Sequence, residues 1–135
     1  MFLNKIIITL LAIIFSFNLY AHHPGNKIEA EKPYPRLTLN IYDDDLEGYN
    51  LFIDIENFDL NPSLMGITNK SNSGYLLLYI NDIKIGRVYS NWFHIPQRFI
   101  NLNKNILKVT LNNNQHDLVT IDGQPIEFEI EIIKN

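Results

Sequence analysis

The chain has 135 residues, with 11 Lys and Arg against 15 Asp and Glu, a net charge of −4 with His neutral, and no Cys. Its basic residues are scattered singly, which excludes a polyanion-binding surface, because nucleic-acid affinity rests on clustered cations. Neither a disulfide framework nor a lipid anchor on Cys is available, so a hydrophobic core must hold the fold.

Lys5, the apolar run Ile6 to Phe17 and the following Asn18-Leu19-Tyr20-Ala21 read as a secretory signal. The start is charged, a small residue precedes the cut, and the apolar core is shorter than the roughly 20 residues of a spanning helix. Residues 1–21 are therefore predicted to be removed, leaving an exported protein, periplasmic or secreted, that begins at His22 and has no membrane segment. Leu19 is larger than the usual residue two places before the end of a signal, so a cut a few residues away or an uncleaved anchor is the alternative. Residues 22–35 contain Pro24, Pro33 and Pro35 and few apolar side chains, and read as a flexible arm without a packed face. Residues 36–135 suit a single domain.

In that domain Leu37, Leu39 and Ile41 alternate with polar neighbours over 36–41, the period-two pattern of a half-buried strand. Tyr49, Leu51, Ile53 and Ile55 repeat it over 49–58, with a bulge where Asn57-Phe58 shifts the phase. Residues 59–73 read as a long loop. Tyr75 to Ile80 is nearly continuous in apolar character, so both faces of that strand should be covered, and Asn81-Asp82 turns it into a hairpin with 83–89. Further strands are predicted at 106–111 and 126–133, the last with Ile126, Phe128, Ile130 and Ile132 on one face and Glu127, Glu129 and Glu131 on the other. Leu51, Ile53, Leu78, Ile80, Val109, Leu111, Phe128 and Ile130 are the expected core. No segment after residue 35 sustains a helical stripe, and turn signals recur about every ten residues, the rhythm of an all-β, immunoglobulin-like or cupredoxin-like antiparallel sandwich of about seven strands.

Gly48-Tyr49-Asn50-Leu51, Gly74 to Ile80 with Asn81-Asp82, Arg87-Val88-Tyr89, Trp92-Phe93-His94 and Val109 to Asn112 with His116-Asp117 resemble, in order and spacing, a set of small exported bacterial proteins of unsettled function. In that set the stretches read Gly-Trp-Asn-Leu-His, Gly-His-Ala-His-Leu-Tyr-Val-Asp-Gly, Trp-Tyr-His and Leu-Asn-Ala-Asn-Asp-His, and the resemblance covers residues 48–126. It implies a sandwich with a His cluster suited to copper or another transition metal. Here His94 and His116 match the family's histidines, whereas Phe52, Tyr75 and Leu77 stand where the family carries His. Two imidazoles are too few for a closed four-ligand site, so the implied site is a reduced one.

The residues offer three candidate sites of their own. Cleavage after Ala21 would place an amine beside the His22 imidazole, or let the amine, an amide nitrogen and the His23 ring surround Cu(II), with Pro24 ending the chelate. The plain alternative is a chance His-His in an arm. His94 and His116, each in or near a turn, form a second metal candidate if they share one end of the sandwich; Met65 would add a thioether and Asp117 would orient a ring. The alternative is an ordinary turn histidine and a gap-filling Met65. Tyr49, Tyr89, Trp92 and Phe93 form the third, a face for a sugar or peptide, although alternation turns Trp92 away from Tyr89 and Phe93. Asp43-Asp44-Asp45 lacks the ligand spacing and turn Gly of a calcium loop and reads as a solvated turn. The sequence has no nucleophile elbow, no His-Glu-x-x-His and no phosphate-cradling Gly loop.

The leading expectation is an exported non-enzymatic accessory protein binding copper through His94 and His116 with His22, His23 or Met65. The alternative is a metal-free envelope module that binds a protein or a glycan.

Overall fold

Strand alternation becomes two packed sheets in a computed structural model that describes residues 25–134. The signal segment and His22-His23 lie outside the described residues. Eleven strands appear: β1 (Lys27–Glu29), β2 (Arg36–Asp43), β3 (Tyr49–Glu56), β4 (Asp59–Leu60), β5 (Ser73–Ile80), β6 (Ile83–Val88), β7 (Trp92–Ile95), β8 (Asn103–Asn113), β9 (Leu118–Ile121), β10 (Gln124–Pro125) and β11 (Glu127–Lys134). The excess over the expected seven is in pieces of two to four residues, too short to show a period. The only helical turns among the described residues are Pro62–Leu64 and Gln97–Phe99.

The small sheet runs β2-β3-β7, all antiparallel. The large sheet is built on β5 and β8, with β6 and β4 against β5 and with β11 and β9 against β8. Leu37, Leu39, Leu51 and Ile53 face Leu76, Leu78, Ile80, Leu107, Val109 and Leu111 across the interior, giving the β-sandwich expected from the alternation. Phe128 and Ile130, expected in the core, are only half-buried, because β11 pairs with β8 alone and lies at a margin of the sheet.

Two connections differ from the sequence expectation. Asn57 takes φ 57°, a left-handed value that Asn tolerates, and there the chain leaves the small sheet: β4, within the expected loop, pairs in parallel with Ser73 and Gly74 of the large one. The arm is corrected as well. β1 pairs in parallel with Leu118–Thr120, and Ile28 packs against the core. Glu29 accepts hydrogen bonds from the Thr120 hydroxyl at 2.6 Å and the Gly123 N–H at 2.7 Å, which hold its carboxyl below the usual carboxylate range. Pairing of this kind uses backbone groups, so the polar composition of the arm gives no sign of it.

Asn81 and Asp82, at φ 50° and 64°, make the hairpin turn that Asn-Asp was expected to make. Asn81 also donates through Nδ2 to the fully buried Asn105, which ties the hairpin to the start of β8.

Candidate functional site

On the small sheet, the inward phase of β2 and β3 carries Leu and Ile, so the residues between them face solvent. Register places Asn40, Phe52 and Trp92 on one cross-strand row and Tyr42, Asn50 and His94 on the next. Three large aromatics therefore share one wet face, with Tyr42 60%, Phe52 46% and Trp92 47% exposed. Tyr42 and Phe52 meet edge to face at 5.8 Å. Trp92 donates its indole N–H to Asn50 at 3.1 Å, and Asn50 donates in turn to Asp44 at 2.7 Å. Asp44 also accepts from the backbone N–H groups of Leu46 and Glu47; the Leu46 bond, then that from Asn50, keeps its carboxyl below its ordinary range. This is the solvated turn read from the three adjacent acids. His94 stands at the border of the same face, its Nε2 3.6 Å from Glu47 and its Nδ1 4.0 Å from Asp44.

Of the four aromatics proposed from the sequence, only Trp92 belongs here. Tyr49 and Phe93 pack against the core, and Tyr89 sits beside Tyr75 on the opposite sheet, ring centroids 6.0 Å apart. Tyr42 and Phe52 were missed. Their signal was present in the alternation: each occupies the polar phase of its strand, where a large ring has no core to enter.

The outer face of the large sheet forms a groove of about 680 Å³. Its floor is Tyr75, Leu77 and Tyr79 of β5, with Thr110 and Asn112 of β8 beside them. Tyr75 and Leu77 are only 3% and 7% exposed, so the second face of β5 is covered as its apolar run demanded, by long side chains from the flanking strands rather than by another layer. The Arg87 guanidinium lies 4.9 Å from the Tyr75 ring centroid and the Lys108 ammonium 5.2 Å from that of Tyr79. Burial raises the phenol pKa of both tyrosines. The Tyr75 hydroxyl is 3.0 Å from His116 Nδ1 and closes one end of the groove. His116 reaches it from a turn, at φ 71°, set by the Asn113 side chain, which accepts from the Gln115 and Asp117 N–H groups.

The two histidines expected to share an ion are not brought together. His94 touches the 44–48 loop, which borders Ile133 and Lys134, and these pair with the first residues of β8; His116 follows its last residue. About 30 Å of strand separates those ends, against bonds of about 2 Å from each ring to a metal. Met65 does lie toward His116, joined to it through Arg87 and Tyr75, with its sulfur 3.8 Å from the Arg87 Nη1. Gly25, three residues after His22, borders the same groove as His116. Among the described residues no three His, Cys, Asp or Glu side chains are grouped to hold a metal ion. Phe52, Tyr75 and Leu77, the positions where the resemblance implies His, divide between the two outer faces.

Fold and faces define a β-sandwich with one exposed aromatic surface and one charged groove. No family model matches the chain, and neither does any curated protein or solved structure.

Proposed function

We propose that this chain is an exported, non-enzymatic binding module that holds a glycan against the outer face of its small sheet. One observation carries the reading: Tyr42, Phe52 and Trp92 lie side by side, exposed, on three adjacent strands. Rings so exposed cost hydrophobic free energy in the free protein, and a contiguous patch of them is the mark of a contact surface. Sugar rings offer C–H groups to aromatic faces and hydroxyls to planar polar side chains, and Asn40 and Asn50 lie among these rings. Strands are spaced about 4.8 Å apart and Tyr42 lies two residues along from the row of Trp92, so the two positions are about 12 Å apart on the diagonal, the scale of two to three pyranose units. Export is supported by the Lys5 to Ala21 pattern.

Trp92 is the single Trp of the chain, so its fluorescence reports on this face alone. Titration with soluble chito- and cello-oligosaccharides and with peptidoglycan glycan strands should shift its emission to the blue and shield it from acrylamide, and Phe52→Ala or Tyr42→Ala should abolish both effects. Emission indifferent to every glycan but shielded by a purified envelope protein would replace the glycan by a protein partner.

The copper reading keeps one supporting observation, the nearness of Gly25 to His116. Such a site would use the amine and rings of His22 and His23, which lie outside the described residues, with His116 as the candidate third ligand in place of His94, which stands toward the other end of β8.

A further inference from the structure

The groove on the large sheet gathers cations in an acidic protein. Lys84 and Arg87 come from β6 and Lys108 from β8, and register sets Leu77 and Tyr79 between them. The opposite wall is anionic: Glu127 continues the row of Arg87, Leu77 and Thr110. Among the described residues no carboxylate pairs with Arg87 or Lys84, and Lys108 is 3.9 Å from an Asp82 whose side chain is almost wholly in water. The Arg87 guanidinium carries five N–H donors, yet it is held by stacking on Tyr75 and meets only the Met65 thioether, a weak acceptor. A guanidinium placed by stacking keeps its donor edge for an oxyanion, which it grips with two parallel bonds.

We propose that this groove is a second binding site, for a small ligand bearing a carboxylate or phosphate group. The ligand body lies against half-buried Tyr79 and over the long side chains that cover Leu77, and its oxyanion meets Arg87, Lys84 and Lys108. Glu127 repels the anion from the β11 side and Asp82 from the hairpin end, which leaves the Arg87 end of β6 as the seat of the charged group. The volume of about 680 Å³ lies in the range of small-molecule sites, and the lining, mostly polar and charged, suits a charged ligand rather than an apolar one.

The mature protein, labelled with ¹⁵N, is titrated by NMR with sodium phosphate and, in a second series, sodium acetate at constant ionic strength. Saturable shifts are expected at the amides of β5, β6 and β8 that line the groove and at the Arg87 side chain. Saturation by phosphate alone assigns a phosphate ligand; saturation by acetate as well assigns the carboxylate class. The double change Arg87→Gln with Lys84→Gln should weaken binding about tenfold or more, since hydrogen bonds to charged groups are lost. Lys84→Gln alone, on an exposed side chain, gives a smaller loss and serves where the double variant disturbs the packing on Tyr75. Trp92→Ala, on the opposite face, should leave the titration unchanged, which separates this site from the glycan face. Shifts that never saturate with either anion, or saturable shifts indifferent to Lys84 and Arg87, would overturn the proposal.

Discussion

Replacing Asn105 by Ala should cost the fold about 2–3 kcal/mol. The side chain is fully buried between the start of β8 and the Asn81 hairpin. Its Oδ1 accepts from the Asn101 N–H and from Asn81 Nδ2, and its Nδ2 donates to the Asn101 carbonyl, each at 2.9 Å. Three hydrogen bonds at a net 0.5–1.5 kcal/mol each give about 3 kcal/mol. Asn101 is exposed and regains water for its two groups, which lowers the loss; Asn81 is half-buried and regains less. Asn81 also holds β8 through its Oδ1, which accepts from the Ile106 N–H at 2.8 Å, so a loosened hairpin feeds back on the central strand. For a domain of this size the loss corresponds to a fall in Tm of about 10 °C. Urea unfolding followed by Trp92 fluorescence, with thermal circular dichroism, measures both quantities. Asn40→Ala, on an exposed face, serves as the control and should change stability by less than about 0.5 kcal/mol. A loss under about 1 kcal/mol for Asn105→Ala at unchanged m would refute the reasoning.

Gly74→Ala should be more damaging than its size suggests, because an added Cβ would stand 2.6 Å from the Asn113 Cα and clash with backbone of β8 that cannot yield. The cost should reach about 3 kcal/mol and be accompanied by loss of the Tyr75–His116 contact, read from the His116 ring shifts in NMR. Glu29 and Asp44 both have lowered carboxyl pKa values in the folded protein, so each contributes stability that is present above the unfolded carboxylate pKa and is lost as pH falls through the folded one. Glu29→Gln should therefore remove part of the acid sensitivity of folding, and unfolding curves across the acid range should run closer to flat in the variant. Copper titration of the mature protein should be unaffected by His94→Ala, since His94 stands at the far end of β8 from His116; calorimetry that shows the same change abolishing a one-to-one site would contradict that placement. N-terminal sequencing of the native protein should find His22 first.

The strands of the sandwich were legible because side-chain alternation is a property of the local backbone: a strand with Leu37, Leu39 and Ile41 on one side buries that side whatever it packs against. The Asn81-Asp82 turn was legible for the same reason, as left-handed φ values are tolerated by Asn and Asp. Tyr42 and Phe52 could have been placed on the wet face, yet nothing local says that β2, β3 and β7 are neighbours, and only that adjacency joins them with Trp92 into one surface. Pairing of β1 with β9, which brings Ile28 and Thr120 together across 92 positions, and the separation of His94 from His116 by the length of β8 were likewise decided by the tertiary structure. Periodicity states which way a side chain points; which non-consecutive strands lie next to each other, and at which end a loop emerges, depends on contacts between segments whose order along the chain only partly fixes their order in the sheet.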